Sequence, residues 1–479
     1  MLTLWLSSQA WLNRPRPTLS AMNYSSVAVL PLKNLSGDST QDFLADGLTD
    51  ALISDLTHVR GLRVISLTSS LRYKGATKSL SQIAKELKVE TVVEGSMMRS
   101  GDRVRISAQL VEAASERSMW SDSFDRDLSD ILATQREISR IIAGRISASL
   151  TPEEQSHLAR LPRVNSAAYL AYQRGRFYWN QRTEGALKLG IEQFTLALEA
   201  EPTYALAYSG LADCYTALGY GSYLAPKDAF PKARAAAEKA LEFEPSLAEP
   251  HASLGYVHLY YDWKFADART EFQRSLELNP SYATAHHWYS VYLTAMNQPK
   301  EARREIELAQ DLDPLSVAIS TDMGFEQYYS MDYEPATKQL KSVVDMNPKF
   351  FLAHLWLGRA YQQRKMYAEA IREYEQTGSL REWVPTIAAI GNVYGLMGKT
   401  DDARKVLAHL DEISRERYVT SYGVALVHAG MGDKEQAFAK LERAFEERSH
   451  WLVWLGLDPR WEGLRADPRF GELMRRIGL

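Results

Sequence analysis

The sequence of 479 residues contains a single cysteine, Cys214, so no intrachain disulfide and no thiolate zinc cage can form. Cys214, next to Tyr215 in an apolar stretch, reads as a small packed residue rather than a nucleophile. An excess of either charge is missing too: 56 Lys+Arg stand against 60 Asp+Glu, a net of −4. Binding that coats nucleic acid needs many unopposed Lys and Arg, so direct nucleic-acid binding is not expected. No run reaches the about 20 apolar residues that a membrane-spanning helix needs. Enzyme signatures are lacking as well: there is no Gly-rich loop with the Lys-Ser/Thr that cradles phosphate, no HExxH, no nucleophile elbow and no dinucleotide fingerprint. His286 and His287 are the one adjacent histidine pair, and neighbouring helix positions point about 100° apart, a poor chelating geometry. The expectation is a non-catalytic protein with no cofactor and no metal. At 45% hydrophobic residues, the chain is still too apolar to be disordered.

Residues 2–12 (LTLWLSSQAWL) are apolar but short, with Arg14-Pro15-Arg16-Pro17 behind them. They read either as an interfacial terminus or as the tail of a membrane helix beginning upstream of Met1. Membrane contact, if any, is expected there, and the location is cytoplasmic or membrane-associated accordingly. No cysteine follows for a lipid anchor, which argues against a secretion-pore lipoprotein. Residues 1–23 thus form a terminus or linker.

Residues 24–150 carry the pattern of a small α/β domain. Ser26 to Pro31 is a β-branched run suited to a buried strand. Leu44, Leu48, Leu52 and Leu56 form a helical stripe, with Asp42 and Asp46 at its amino end, where the helix dipole favours anions. Leu62 to Ser66 suggests a second strand. Leu80, Ile83, Ala84 and Leu87 suggest a second helix, with Ser79 or Ser81 as its cap. Strands near 90–98 and 103–112 join through Ser100-Gly101-Asp102, a hairpin turn. A further strand over 118–124 and a helix over 128–146 complete a mixed sheet, expected to have helices on one side. Asp42, Asp46 and Asp50 share a helix face, which reads as a solvated acidic face rather than a cation site. With 16 Lys/Arg and 16 Asp/Glu between Tyr24 and Leu150, the domain is neutral. Its motifs Val27-Ala-Val-Leu-Pro31, Phe43 to Leu48, Val92-Val-Glu-Gly-Ser96, Gln109-Leu-Val111, Trp120 and Phe124-Asp-Arg126 resemble the TolB-like amino-terminal domain of bacterial signalling proteins. That resemblance implies a non-catalytic module placed before tetratricopeptide repeats.

Repetition dominates the remainder. A proline follows an acidic or polar residue at Glu201-Pro202, Glu244-Pro245, Asn279-Pro280, Asp313-Pro314 and Asn347-Pro348, at intervals of 43, 35, 34 and 34 residues. Twelve residues before them stand Gly190, Ala233, Ala268, Ala302 and Ala336, and the series continues at Ala370, Ala403 and Ala437. This is the tetratricopeptide pattern, read as eight helix hairpins over 165–455, with a linker at 151–164 and a capping segment at 456–479. The fold class is therefore α+β: a mixed-sheet domain followed by an all-α superhelix. A hairpin cannot bury its own apolar stripe, so neighbours stack into one continuous core. The 43-residue interval leaves extra residues near 219–226, read as a surface excursion or, alternatively, a partner-contacting loop.

Such arrays offer a concave groove lined by the first helix of each unit. The repeat register places Tyr256, Tyr260, Phe325, Tyr328, Tyr329, Arg359, Gln362, Gln363 and Asn392 there. Aromatic anchors beside amide and guanidinium donors suit a peptide or a partner protein. The expected function is a protein-interaction scaffold in signalling. The alternative is the sensory half of a membrane-linked transcriptional regulator or kinase, since modules resembling this one often follow a DNA-binding or kinase domain.

Overall fold

The computed structural model describes residues 24–147, 150–159, 164–376 and 383–479. Expectations for residues 1–23 lie outside the described residues. Among those described, no helix is long and apolar enough to cross a membrane.

The first unit contains β1 (Ser26–Val29), β2 (Lys33–Asn34), α1 (Asp42–Leu56), β3 (Arg63–Val64), α2 (Leu67–Leu71), α3 (Leu80–Leu87), β4 (Thr91–Ser100), β5 (Arg103–Glu112), β6 (Arg117–Asp127), α4 (Ile131–Ile146) and α5 (Pro152–Ala159). The sheet order is β3-β1-β4-β5-β6, with β2 pairing on β4. Pairs of β1 with β3 and β4 are parallel, and β4-β5-β6 is antiparallel. Helices were expected on one side, but both faces are covered near β1. Its side chains alternate: Val27 and Val29 pack with Leu44, Leu48, Ile138 and Ile142 of α1 and α4, while Ala28 packs with Ile83 and Leu87 of α3. A continuous apolar strand buries both of its faces, whereas β5 buries one and leaves Arg103 and Arg105 in solvent. Ser79 caps α3 in a reciprocal capping box with Gln82. The 151–164 stretch, expected as a linker, contains α5, whose Leu158 joins the α/β core.

Among the described residues, eight helix hairpins follow: α6 (Ser166–Asn180) with α7 (Glu184–Ala200), α8 (Ala205–Tyr220) with α9 (Pro226–Phe243), α10 (Ala248–Val257) with α11 (Phe265–Leu278), and α12 (Ala283–Ala295) with α13 (Pro299–Leu312). The array continues through α14 (Val317–Tyr329) with α15 (Tyr333–Met346), α16 (Phe351–Gln363) with α17 (Tyr367–Glu375), α18 (Val384–Leu396) with α19 (Thr400–Ile413), and α20 (Ser421–Gly430) with α21 (Lys434–Glu446). The chain ends in α22 (Pro468–Ile477).

The prolines act through the residue before them. Pro Cδ pushes its predecessor out of the helical region, and Glu201, Glu244, Asn279, Asp313 and Asn347 have φ of −144°, −143°, −140°, −136° and −138°. Each second helix stops there and the chain swings into the next unit. Within hairpins, small residues admit large ones. A Cβ on Gly358 would lie 2.4 Å from Tyr374 Cε1, and one on Gly324 would lie 2.5 Å from Leu340 Cγ. The 35-residue interval holds one residue more than its 34-residue neighbours. A π turn over His258–Asp262, continuing α10, takes up the extra residue.

The array bends into a closed turn. The 219–226 segment is not a surface excursion: it folds inward, and the Gly221 carbonyl accepts a 2.9 Å hydrogen bond from the Trp383 indole of the seventh unit. Two aromatic residues, Tyr220 and Tyr223, anchor that segment in the main core, which explains the inward path. The last unit reaches the third, with Phe445 against Trp263 at 5.2 Å.

Candidate functional site

The groove residues inferred from the repeat register all lie on the inner first helices or, for Tyr260, on the π turn that extends one. The surface they were expected to offer a partner is nevertheless occupied. The C-terminal segment, in two 3-10 turns over His450–Trp454 and Pro459–Leu464, threads through the hollow. Trp454 stacks on Tyr329 (4.6 Å, 17°) and meets Phe325 edge-on (4.9 Å, 89°). Tyr260 contacts Trp454 and His450. The Arg359 guanidinium is sandwiched between Trp356 (4.3 Å) and Trp451 (4.8 Å). Tyr328 is buried beside Trp356. Gln362 donates to Asn392 (2.7 Å), whose amide donates to the Leu426 carbonyl (2.6 Å). Gln363 alone among these is half-buried rather than buried, and Tyr256, packed on Trp288, faces an interior chamber. The hollow is filled because the three tryptophans of the terminal segment, Trp451, Trp454 and Trp461, are better buried than left in water.

A polar network locks that segment. Arg460 and Asp458 form a buried bidentate pair. Tyr422 donates to Asp458 (3.1 Å), and the Trp461 indole donates to the Tyr422 hydroxyl (2.7 Å). Burial opposes the Asp458 charge, yet the Arg460 guanidinium, with Arg359 nearby, holds its carboxyl below the ordinary carboxylate range. The segment, expected to cap the last unit, does more. Phe470, Leu473 and Ile477 of α22 join the core and Arg469 and Arg476 pair with Glu435 and Glu442 of α21, but residues 450–461 fill the array's interior.

The α/β unit closes the other part of the hollow. At one end the two units share a core, since Tyr169 of α6 is buried with the α1 and α4 leucines and isoleucines. At the far end Leu315 packs on the Ala28/Ile83 core of the α/β unit, and the remaining contacts are polar and fall mostly on the residues preceding the repeat prolines. Asn279 donates to Thr57 (3.0 Å), Ser69 donates to Asp313 (2.5 Å), and Arg72 donates to Asn347 (2.6 Å). The Ser66 amide bonds the Leu312 carbonyl (2.9 Å) and Arg63 bonds that of Asp311 (2.9 Å). Burial pushes the Asp313 carboxyl upward, against the hydrogen bond from Ser69.

Between the shared core and this ladder lies a chamber of about 630 Å³, walled by α1, β3–α2, α4, α6, α8, α12, α14 and Trp383. Several carboxylates in and around it have cationic partners. Asp55 pairs with Arg136 (2.6 Å), Arg176 bridges Asp50 (3.4 Å) and Asp213 (3.5 Å), and Asp322 pairs with His287 (2.7 Å). Burial pushes the Asp213 carboxyl up to about 6, opposed by Arg176 and the Ser253 hydroxyl. The Asp42/Asp46/Asp50 row is thus not a solvated acidic face: Lys74 covers Asp42 and Asp46, and α6 supplies Arg176 to Asp50. His286 turns from His287 to Glu305 and the Pro280 carbonyl, an arrangement repeated by His354 with Glu373 and Pro348. Buried Cys214 packs beneath Gly190, and its thiol is raised by burial. The chamber residues escaped notice in the sequence. The available signal was charge where a first helix should be apolar, as at Arg176 and Asp213.

Residues 23–141 match the model for the second domain of HilA/YgeH-like transcriptional regulators. The chain is 36% identical over 198 residues to a protein named putative adenylate cyclase 3 from Rhizobium meliloti, covering 41% of this chain and 33% of the relative. It is 21% identical over 329 residues to the transcriptional regulator HilA of Salmonella typhimurium, covering 68% of this chain and 56% of that one. The chain therefore spans about a third to just over half the length of these relatives. Among solved structures, the human IFIT1 dimer with m7Gppp-AAAA aligns over 87% of this chain and 98% of that one, at 14% identity and a TM-score of 0.47. In plain terms, the chain is a small sheet domain followed by tetratricopeptide repeats.

Proposed function

We propose that the chain is a non-catalytic interaction scaffold serving as the regulatory portion of a longer signalling protein. One relative is named for a cyclase and the other for transcriptional regulation, and the two matched regions overlap within this chain. A part common to proteins named for different outputs is suited to control rather than to output. The TolB-like resemblance of residues 24–150 agrees with that role.

The observation that carries the reading is the unequal way the two ends close the array. Fully burying a large apolar side chain stabilises by about 1.5–3 kcal/mol, and Trp451, Leu452, Val453, Trp454, Leu455 and Trp461 are all buried. A nanomolar partner contributes about 12 kcal/mol in total, comparable to that burial, so a partner gains little by displacing this segment from Tyr329 and Arg359. The α/β ladder is held by individual hydrogen bonds of roughly 1–3 kcal/mol each and the single side chain of Leu315, a looser closure than the tryptophan-filled one, and it is the end that opens. A protein partner reaches the inner face of the first units, Tyr256 included, when the ladder parts.

Native-state hydrogen exchange on the full chain tests this. The Ser66 amide, bonded to Leu312, is expected to exchange by a local opening well below the global free energy, while the Leu455 and Asp458 amides exchange only with global unfolding. Exchange of all three at the global limit would overturn the proposal.

A further inference from the structure

The chamber wall carries polar groups without partners among the described residues, donors in the majority and Gln173 Oε1 an acceptor. Two guanidinium groups stand over the Trp179 indole, Arg176 at 4.4 Å and Arg182 at 3.5 Å from its centroid. Arg176 has two carboxylate partners, whereas Arg182 has none within 4 Å among the described residues. Arg182 is exposed, and it is among the residues that line the chamber. Two chamber-wall residues, Trp179 (5% exposed) and Thr216 (1% exposed), hold donors without a hydrogen-bond partner, Nε1 and Oγ1, both buried just behind the wall. Of the two wall acids without a cationic partner among the described residues, Asp313 accepts from Ser69, and Glu249 lies in the first turn of α10, where the helix dipole stabilises it.

A guanidinium without a counter-ion favours an anion beside it, and unsatisfied buried donors are costly. Here a cation and two donors border one space whose other walls are rings, Tyr172, Tyr220 and Trp383 among them. The volume lies in the range of small-molecule sites, which pair mostly apolar walls with a few placed polar groups. We infer that this chamber binds a small organic anion, an oxyanion headgroup on a flat apolar body, with Arg182 meeting the charge and Trp179 Nε1 and Thr216 Oγ1 donating to it. The inference rests on the chamber alone and goes beyond the choice of protein partner.

Carboxylates and phosphate monoesters share the required headgroup. The test is calorimetric titration of the full chain with 1-naphthoate, 1-naphthyl phosphate and the neutral 1-naphthalenemethanol. At least one anion is expected to saturate a single site, with the alcohol at least tenfold weaker; the stronger anion identifies the headgroup. Arg182→Gln should weaken the anion at least tenfold and leave the alcohol unchanged. The near-isosteric Thr216→Val, which keeps the fold should Arg182→Gln not, should weaken the anion about threefold or more. Absence of saturable anion binding, equal affinity for the alcohol, or anion binding indifferent to both substitutions would overturn the inference.

Discussion

The indole of Trp454 lies on the phenol ring of Tyr329, centroids 4.6 Å apart and planes 17° from parallel. Tyr329 belongs to the fifth repeat, and Trp454 comes after the eighth. This stacking turns what the repeat pattern marks as a binding groove into a hydrophobic core. Trp454→Ala is expected to cost about 3–5 kcal/mol, the range for deleting a buried large aromatic. Urea denaturation with unchanged m would measure it; a loss under 1 kcal/mol would mean the terminal segment is not seated in the hollow.

Gly358 and Tyr374 set the approach of helices α16 and α17. The Tyr374 hydroxyl donates to Gln362 at 3.0 Å, which ties the ring in place against any new Cβ. Gly358→Leu should therefore overpack by about 1–3 kcal/mol, as should Ala302→Leu at its fully buried site. Exposed Lys300 is the control, expected within about 0.5 kcal/mol of the parent on exchange for Arg. Equal melting curves for the three would refute the register.

His450 gives the tertiary structure a pH dependence. Its ring is buried among Tyr220, Tyr260 and Trp451, and neither nitrogen has a hydrogen-bond partner. Burial pushes its pKa down to about 3, from 6.5. Between those values the unfolded chain binds a proton that the native chain refuses, so stability falls as pH drops. One proton sets a limiting slope of about 1.4 kcal/mol per pH unit. His450→Phe should flatten the stability profile between about pH 6 and 4; parallel profiles would contradict the assignment.

Ser69 and Asp313 are expected to couple. A double-mutant cycle with Ser69→Ala and Asp313→Ala should return about 1–3 kcal/mol, as for a hydrogen bond to a charged acceptor. Strict additivity would show that the ladder contributes nothing to docking.

Met331 occupies the turn between α14 and α15 at φ 63°, with its side chain 61% exposed. A left-handed backbone is unfavourable for an L side chain by about 1–2 kcal/mol. Met331→Gly is expected to be neutral or stabilising by up to about 1 kcal/mol, read from the thermal midpoint. A clear loss would mean that this side chain packs in solution.

Much of this fold is legible in the residues. The proline intervals locate the turns, and the Ala and Gly positions twelve residues before them locate the crossings. The alternation from Arg103 to Val111 matches a strand with one face in solvent, and Ser79 marks a helix start. Short elements escape: β2 has two residues and α2 five, too few to show a period. The covered sheet face escapes because Val27 to Leu30 is apolar throughout and gives no sidedness. The groove residues are placed on the inner face by register, but register describes one unit at a time. Whether Trp451 and Trp454 return to fill the hollow depends on curvature accumulated over the whole array, which no local pattern encodes. Arg182 and Thr216 are conspicuous only once the walls around them are known.

The Trp383–Gly221 hydrogen bond joins the seventh unit to the second and has a bearing on ancestry. Open spirals lengthen or shorten by duplicating or losing a unit, because each neighbour pair is self-sufficient. This one has a fixed tally. An inserted unit between the second and the seventh would separate the indole from its carbonyl. One placed between Asn279 and Asn347 would also throw the ladder out of step with Thr57, Ser69 and Arg72. Natural variation among chains of this build should therefore appear as substitution and loop change, with the number of hairpins held at eight.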